Sequence, residues 1–116
     1  MTDGVDLRSL LERVQKAQGP DRELDKAVHE LTGDMISHLG AVPFYTGSVD
    51  AAADLFALMF YGRPAWWEIN DHKAILDNGD DQEFEDIGPS EGLALLSTIL
   101  QALIARAEAE EGVGEF

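Results

Sequence analysis

An α+β fold, with four main helices packed on a small antiparallel meander sheet in an α-β-α sandwich-like arrangement, is predicted by three features of this sequence. Apolar residues recur at helical spacing in the first third, the middle and the last quarter of the chain. After Pro64 the period shortens to two, and Asn, Asp and Gly separate the alternating runs. The 116 residues suit one domain, 1–116, and 45% hydrophobic content suffices for a packed core despite the charge.

A helical hairpin is predicted over 7–32. Leu7, Leu10, Leu11 and Val14 share one helix face, with Asp6 as the cap and Gly19 as a left-handed stop. Pro20 prevents continuation, and Asp21 caps a second helix whose stripe is Leu24, Val28 and Leu31, with Gly33 as its stop. Met35, Ile36 and Leu39 permit a further short turn of helix, which Pro43 ends at Val42. Phe44 and Tyr45 read as a short strand. Ser48 then caps a helix over 49–61, with Asp50 in its first turn and Gly62 at its end. That helix is apolar on most sides, so it is expected at the centre of the molecule.

The sheet region is predicted over 65–87. Trp67 and Ile69 alternate with Trp66, Glu68 and Asn70, and Asp71-His72 forms a two-residue turn into Lys73–Leu76. Asn78-Gly79 is a hairpin signal, followed by a strand around Gln82 to Ile87. Ser90 caps a last helix over 90–110 carrying Leu93, Leu96, Ile99, Leu100, Leu103 and Ile104, before a frayed tail at 111–116. Leu24, Val28, Phe56, Trp67, Ile75, Leu96 and Leu103 are the expected core.

Charge narrows the function. Eight basic residues against 23 acidic ones give a net charge of −15. Direct binding to nucleic acid or to anionic lipid is not expected, because no excess Lys/Arg is present to release phosphate counterions. Five bases (Arg8, Arg13, Lys16, Arg22, Lys26) lie in the first 26 positions, whereas Asp71 to Glu91 holds eight acids and only Lys73. Such a surface serves solubility or steers the chain toward a protein with a basic surface. No apolar run reads as a membrane span and the acidic start is unlike a signal peptide, so a cytoplasmic location is expected.

The chemical constellations are weak. The absence of cysteine excludes disulfides, thiolate metal sites and cysteine nucleophiles. Asp77, Asp81 and Glu83 fail the EF-hand template, since Gly79 and Gly88 occupy its third and twelfth positions. His29, His38 and His72 lack metal-ligand spacing, and His29 is expected on the solvent side of its helix. Gly88-Pro89-Ser90-Glu91-Gly92 matches Gly-x-Ser-x-Gly, but no histidine follows Ser90 and the chain is too short for a hydrolase sheet. The only Gly-x-Gly, at Gly112 to Gly114, precedes no helix. No catalytic residue, metal or cofactor is expected.

Two segments carry a family resemblance. Gly19-Pro20-Asp21-Arg22-Glu23-Leu24-Asp25 resembles the turn-and-cap motif of the phage ABA (α-β-α) sandwich family, and Tyr45-Thr46-Gly47-Ser48-Val49-Asp50-Ala51-Ala52 resembles its Tyr-Thr-x-Ser-x-Asp-Ala-Ala signature. The Trp66-Trp67 strand follows in the expected place, and the resemblance covers roughly Leu7 to Arg106. It implies a bacteriophage or prophage origin and a sandwich fold, but no reaction. The acidic hairpin after Asn78 and the Glu-rich tail depart from the family's character.

These readings point to a non-enzymatic accessory protein that acts by protein binding in a host bacterial cell. Its most concrete form is a counter-defence inhibitor occupying a basic, nucleic-acid-handling surface. Alternatives are a small-ligand-binding module in the groove between sheet and helices, and a homo-oligomeric phage structural component. The candidate partner-binding residues are Asp77, Asp80, Asp81, Glu83, Glu85 and Asp86, with Trp66. Residues two apart on a strand project to one side about 6.6 Å apart, so Asp81, Glu83 and Glu85 are expected to form a row of negative charge. Trp66 and Trp67 point to opposite faces; both are buried if helices cover both sides, and Trp66 is an anchor if one side is open.

Overall fold

The helical hairpin forms where its apolar stripes place it. The computed structural model describes residues 4–33 and 41–113. Helix α1, Gly4–Lys16, buries Leu7, Leu10 and Val14, and α2, Arg22–Gly33, buries Leu24 and Val28. Asp21 caps α2 as expected: its Oδ1 accepts from the backbone N–H groups of Glu23 and Leu24 at 3.0 and 3.2 Å. Two details of α1 differ. It starts at Gly4, which puts Asp6 inside the first turn rather than at the cap. Gly19 does not take a positive φ. The chain leaves α1 through a tight bond from Ala17 N–H to the Val14 carbonyl, and Pro20 fixes the next φ. The expected turn of helix at Met35, Ile36 and Leu39 lies outside the described residues.

No strand forms at Phe44–Tyr45. Residues 45–47 are a turn, closed by Gly47 N–H to the Phe44 carbonyl at 3.1 Å. Ser48 caps α3, Val49–Met59, accepting from Ala51 N–H, and Gly62 turns the chain away at φ +79°. Helix α3 is not the central one. Ala52, Leu55 and Met59 form a single buried stripe, while Leu58 is exposed and the following Tyr61 is almost wholly so. Phe56 is half-buried, stacked on Phe60 at 4.9 Å between ring centroids.

The centre belongs to α4, Glu91–Val113. Ser90 Oγ caps it by accepting from Leu93 N–H at 3.2 Å. Every residue from Leu93 to Leu100 is buried, Ser97 and Thr98 included, and α4 touches α1, α3 and all three strands. Contrary to the expectation that no apolar run reaches span length, Glu91–Ala109 is long and apolar enough to cross a membrane. In this fold two thirds of it is covered by the protein itself, as befits a core helix.

Strands β1 (Trp66–Asn70), β2 (Lys73–Asp77) and β3 (Glu83–Ile87) form an antiparallel meander in the order β1-β2-β3. Asp71 and His72, at φ 52° and 68°, make the expected two-residue turn with both central residues left-handed. Trp67–Leu76–Phe84 and Ile69–Ala74–Asp86 are cross-strand rows on one face. The hydrophobic members of those rows belong to the core that α4 completes, with Trp67 half-buried. Ile75, expected in the core, is half-buried on the opposite face. The predicted class therefore holds: helices packed on a small meander sheet, with cover on one side. Among the described helices, α4 packs along all three strands, and α1 reaches β3 through Gln15.

Candidate functional site

The face of the sheet that no described helix covers is the candidate site. Its cross-strand rows are Trp66–Asp77–Glu83, Glu68–Ile75–Glu85 and Asn70–Lys73–Ile87. Directly opposed side chains on neighbouring strands have Cβ atoms about 4.5–5.5 Å apart, so Trp66 and two carboxylates form one continuous strip. Trp66 is 44% exposed and Ile87 71%, at opposite ends of this face. Alternation sends Trp67 to the core and Trp66 outward.

The predicted acidic residues do not act as a unit. Glu83 and Glu85 project from β3 on the open face, as expected. Glu85 is partly offset there by Lys73, 3.4 Å away. Asp81 is not in their row: it precedes the strand in the β2–β3 loop with φ 64°, so the expected three-carboxylate ladder has two members. Asp77 turns its Oδ1 to the backbone N–H of Gly79 at 2.8 Å, shaping the loop. Asp80 lies 3.5 Å from Arg63.

Asp86 is the clearest correction. It faces inward, where it accepts from the Ser97 hydroxyl and from Gln15 at 3.0 Å. Burial pushes its carboxyl up, but donors from Ser97, Gln15 and the Ile87 N–H outweigh it and hold the group below its ordinary value. It ties β3 to α4 and α1, and belongs to the fold rather than to a docking surface.

A second carboxylate explains the two quoted motifs. Asp25 is 1% exposed; its Oδ1 accepts from both the backbone N–H and the hydroxyl of Thr46 at 2.8 Å. Arg22 reaches its other oxygen at 2.9 Å and donates to the Val42 and Pro43 carbonyls while stacking over Phe44. The Thr46 hydroxyl in turn accepts from Asp21 N–H. The two segments are thus halves of one lock that fastens residues 42–46 to α2. His29, expected toward solvent, is instead half-buried with Nδ1 3.2 Å from the Tyr45 hydroxyl. Burial, aided by nearby Asp25, pushes the Tyr45 hydroxyl up to about 12.

Sequence reasoning missed that Ile75, Lys73 and Ile87 share the open face with Trp66, Ile75 beside it and the other two at the far end. The alternation of β2 and β3 places them there once the register is known. Ser90 is engaged as a helix cap, and among the described residues no three His, Asp or Glu side chains gather as a metal site. No family model, curated protein or solved structure matches the chain.

Proposed function

We propose that the chain is a non-enzymatic phage accessory protein that binds another protein through the open face of its sheet. The observation that carries this reading is the Trp66–Asp77–Glu83 row: an exposed aromatic ring beside carboxylates, on a face that no described helix covers. Such a strip suits a partner that offers basic side chains around an apolar depression, since tryptophan supplies contact area and the acids select for positive charge. A counter-defence inhibitor seated on a nucleic-acid-handling surface of a host protein, in the bacterial cytoplasm, is the most concrete form. Support for the phage assignment is the resemblance of the Gly19–Asp25 and Tyr45–Ala52 segments alone.

The test is capture with the tagged chain from infected or lysogenic cells, followed by reconstitution with the purified partner. A partner with a basic surface, whose complex weakens as salt rises and dissociates faster with Trp66→Ala, supports the reading. Binding that is indifferent to Trp66→Ala and to salt would refute it.

A further inference from the structure

The meander has two outer edges, and they are built differently. β3 carries Glu83, Glu85 and Asp86, the kind of charge with which edge strands discourage pairing. β1 carries one charge, Glu68, among Trp66, Trp67, Ile69 and Asn70. Its backbone directions follow from the Asp71-His72 turn. A two-residue turn makes Asn70 and Lys73 a hydrogen-bonded pair, and such pairs alternate along an antiparallel ladder. Trp66, Glu68 and Asn70 therefore turn their N–H and C=O groups to β2, whereas Trp67 and Ile69 turn theirs outward. The same alternation sends the His72 carbonyl to Gly88 N–H and Asn78 N–H to the Gln82 carbonyl on the other side of β2. Among the described elements only β2 and α4 bring their backbones close to β1, and no described residue bonds to the outward groups of Trp67 and Ile69.

We infer that the β1 edge accepts an antiparallel strand from a partner protein, a segment with one basic residue between two β-branched ones. This goes beyond the open-face reading, because the contact is made by backbone at the edge. An incoming strand exchanges hydrogen bonds with Trp67 and with Ile69 and extends the sheet at its ordinary spacing of about 4.8 Å. Glu68 then meets its counterpart as a non-hydrogen-bonded pair, in which opposed side chains come closest. No Lys or Arg among the described residues pairs with Glu68: its row continues through Ile75 to Glu85, and Lys73 lies against Glu85. A basic side chain on the incoming strand completes that row. The residues flanking it point to the other face, beside the half-buried Trp67 and Ile69, where β-branched side chains extend the core. A second copy of this chain fits badly. The register that overlaps the whole of β1 with its copy opposes Glu68 to the same residue, and two chains of net charge −15 repel.

The experiment is an NMR titration of the full isotope-labelled chain with a capped peptide, Thr-Val-Lys-Val-Thr flanked by serines, into the millimolar range. Saturable shifts centred on the amides of β1 are expected, with the Trp67 and Ile69 amides gaining protection from hydrogen exchange. The same peptide with both valines N-methylated keeps its side chains but loses the N–H groups that face the edge, and no saturable shift is expected from it. A peptide with glutamate in place of the lysine is expected to bind about fivefold more weakly, the difference a cross-strand charge pair makes. Glu68→Lys, a change at an exposed position, is expected to reverse that order. No saturable shift with the parent peptide, equal binding by the N-methylated one, shifts centred on β3, or an unchanged order in Glu68→Lys would each overturn the inference. So would self-association that protects the Trp67 and Ile69 amides without peptide, which would give the edge to a second copy.

Discussion

Asp25 and Glu83 carry the same charge in the sequence and meet opposite surroundings in the fold. Asp25 is shut inside the joint between α2 and residues 42–46, where Thr46 donates twice and Arg22 approaches its second oxygen. Glu83 stands exposed at the end of the Trp66–Asp77–Glu83 row. A carboxylate withdrawn from water is tolerable only when donors replace the water, so Asp25 commits its charge to the fold. A carboxylate left in water contributes little to stability and keeps its field available to a partner. In a chain of net charge −15, the question for each acid is therefore what donates to it.

The harshest test of that contrast is Asp25→Ala. It removes the acceptor from a buried N–H, a buried hydroxyl and Arg22 together. Arg22, 44% exposed, can turn to water, but the buried N–H and hydroxyl of Thr46 lose their charged acceptor, at about 1–3 kcal/mol each. Urea unfolding is expected to show that loss as a lower midpoint at unchanged slope. A loss below about 1 kcal/mol would erase the distinction between the two regions.

Much of this was readable before the structure, and the failures have physical causes. The stripes of α1 and α2, the caps at Asp21, Ser48 and Ser90, and the Asp71-His72 turn are local features, so sequence spacing is enough to find them. The choice of central helix is not local. Both α3 and α4 are apolar on most sides, but only α4 has partners on every side; Leu58 of α3 is left exposed. Phe44–Tyr45 has strand-like composition, yet Asp25 and Arg22 hold it as a turn from a distance in sequence. For the candidate site, alternation identified Trp66, Glu83 and Glu85, but could not say whether one face or two would be covered. Nor could it foresee that Asp81 would sit in the loop or that Asp86 would turn inward to Ser97.

Tyr45 sharpens the buried side of the comparison through pH. Its hydroxyl is raised from 10.0 to about 12 in the folded chain, so deprotonation favours the unfolded one. The stability tied to its neutral form is fully present below the unfolded value and is lost as pH rises through the folded value. A two-unit difference corresponds to roughly 2–3 kcal/mol. Denaturant midpoints are expected to fall across that alkaline window, and to fall less in Tyr45→Phe. An identical alkaline decline in both proteins would show that Tyr45 is not the group responsible.

Asp86 tests where the boundary between the regions runs, because sequence placed it with the exposed acids and the structure leaves it half-buried among donors from α1 and α4. Asp86→Ala leaves the buried Ser97 hydroxyl without its carboxylate and is expected to cost about 1–3 kcal/mol. The sign with pH is opposite to that of Tyr45. A lowered folded value means that stability is present above the unfolded carboxylate range and is lost as pH falls through the folded one. The wild type is expected to lose more stability on acidification than Asp86→Asn. A neutral effect of both substitutions would return Asp86 to the exposed group.

The smallest expected effect on the fold falls on the open face, and there the silence is the informative result. Glu83→Gln with Glu85→Gln removes two exposed carboxylates and one 3.4 Å pair with Lys73, both of whose members are substantially exposed. Pairs of that kind contribute about 0–1 kcal/mol, and here relief of repulsion in an acidic chain offsets part of the loss. The unfolding midpoint is therefore expected to stay within about 0.5 kcal/mol of the wild type. Partner binding is expected to respond differently, because exposed charges act before contact is made. Association with a basic partner is expected to slow, and the dependence of that rate on salt to flatten, while dissociation changes little. Trp66→Ala is the complement, with faster dissociation at an unchanged association rate. If the double variant unfolds easily, Glu83 and Glu85 belong with Asp25 and the contrast between the regions fails. If it is stable and associates with the partner at the wild-type rate, the carboxylates of β3 serve solubility, and Trp66 alone is left to carry the interface.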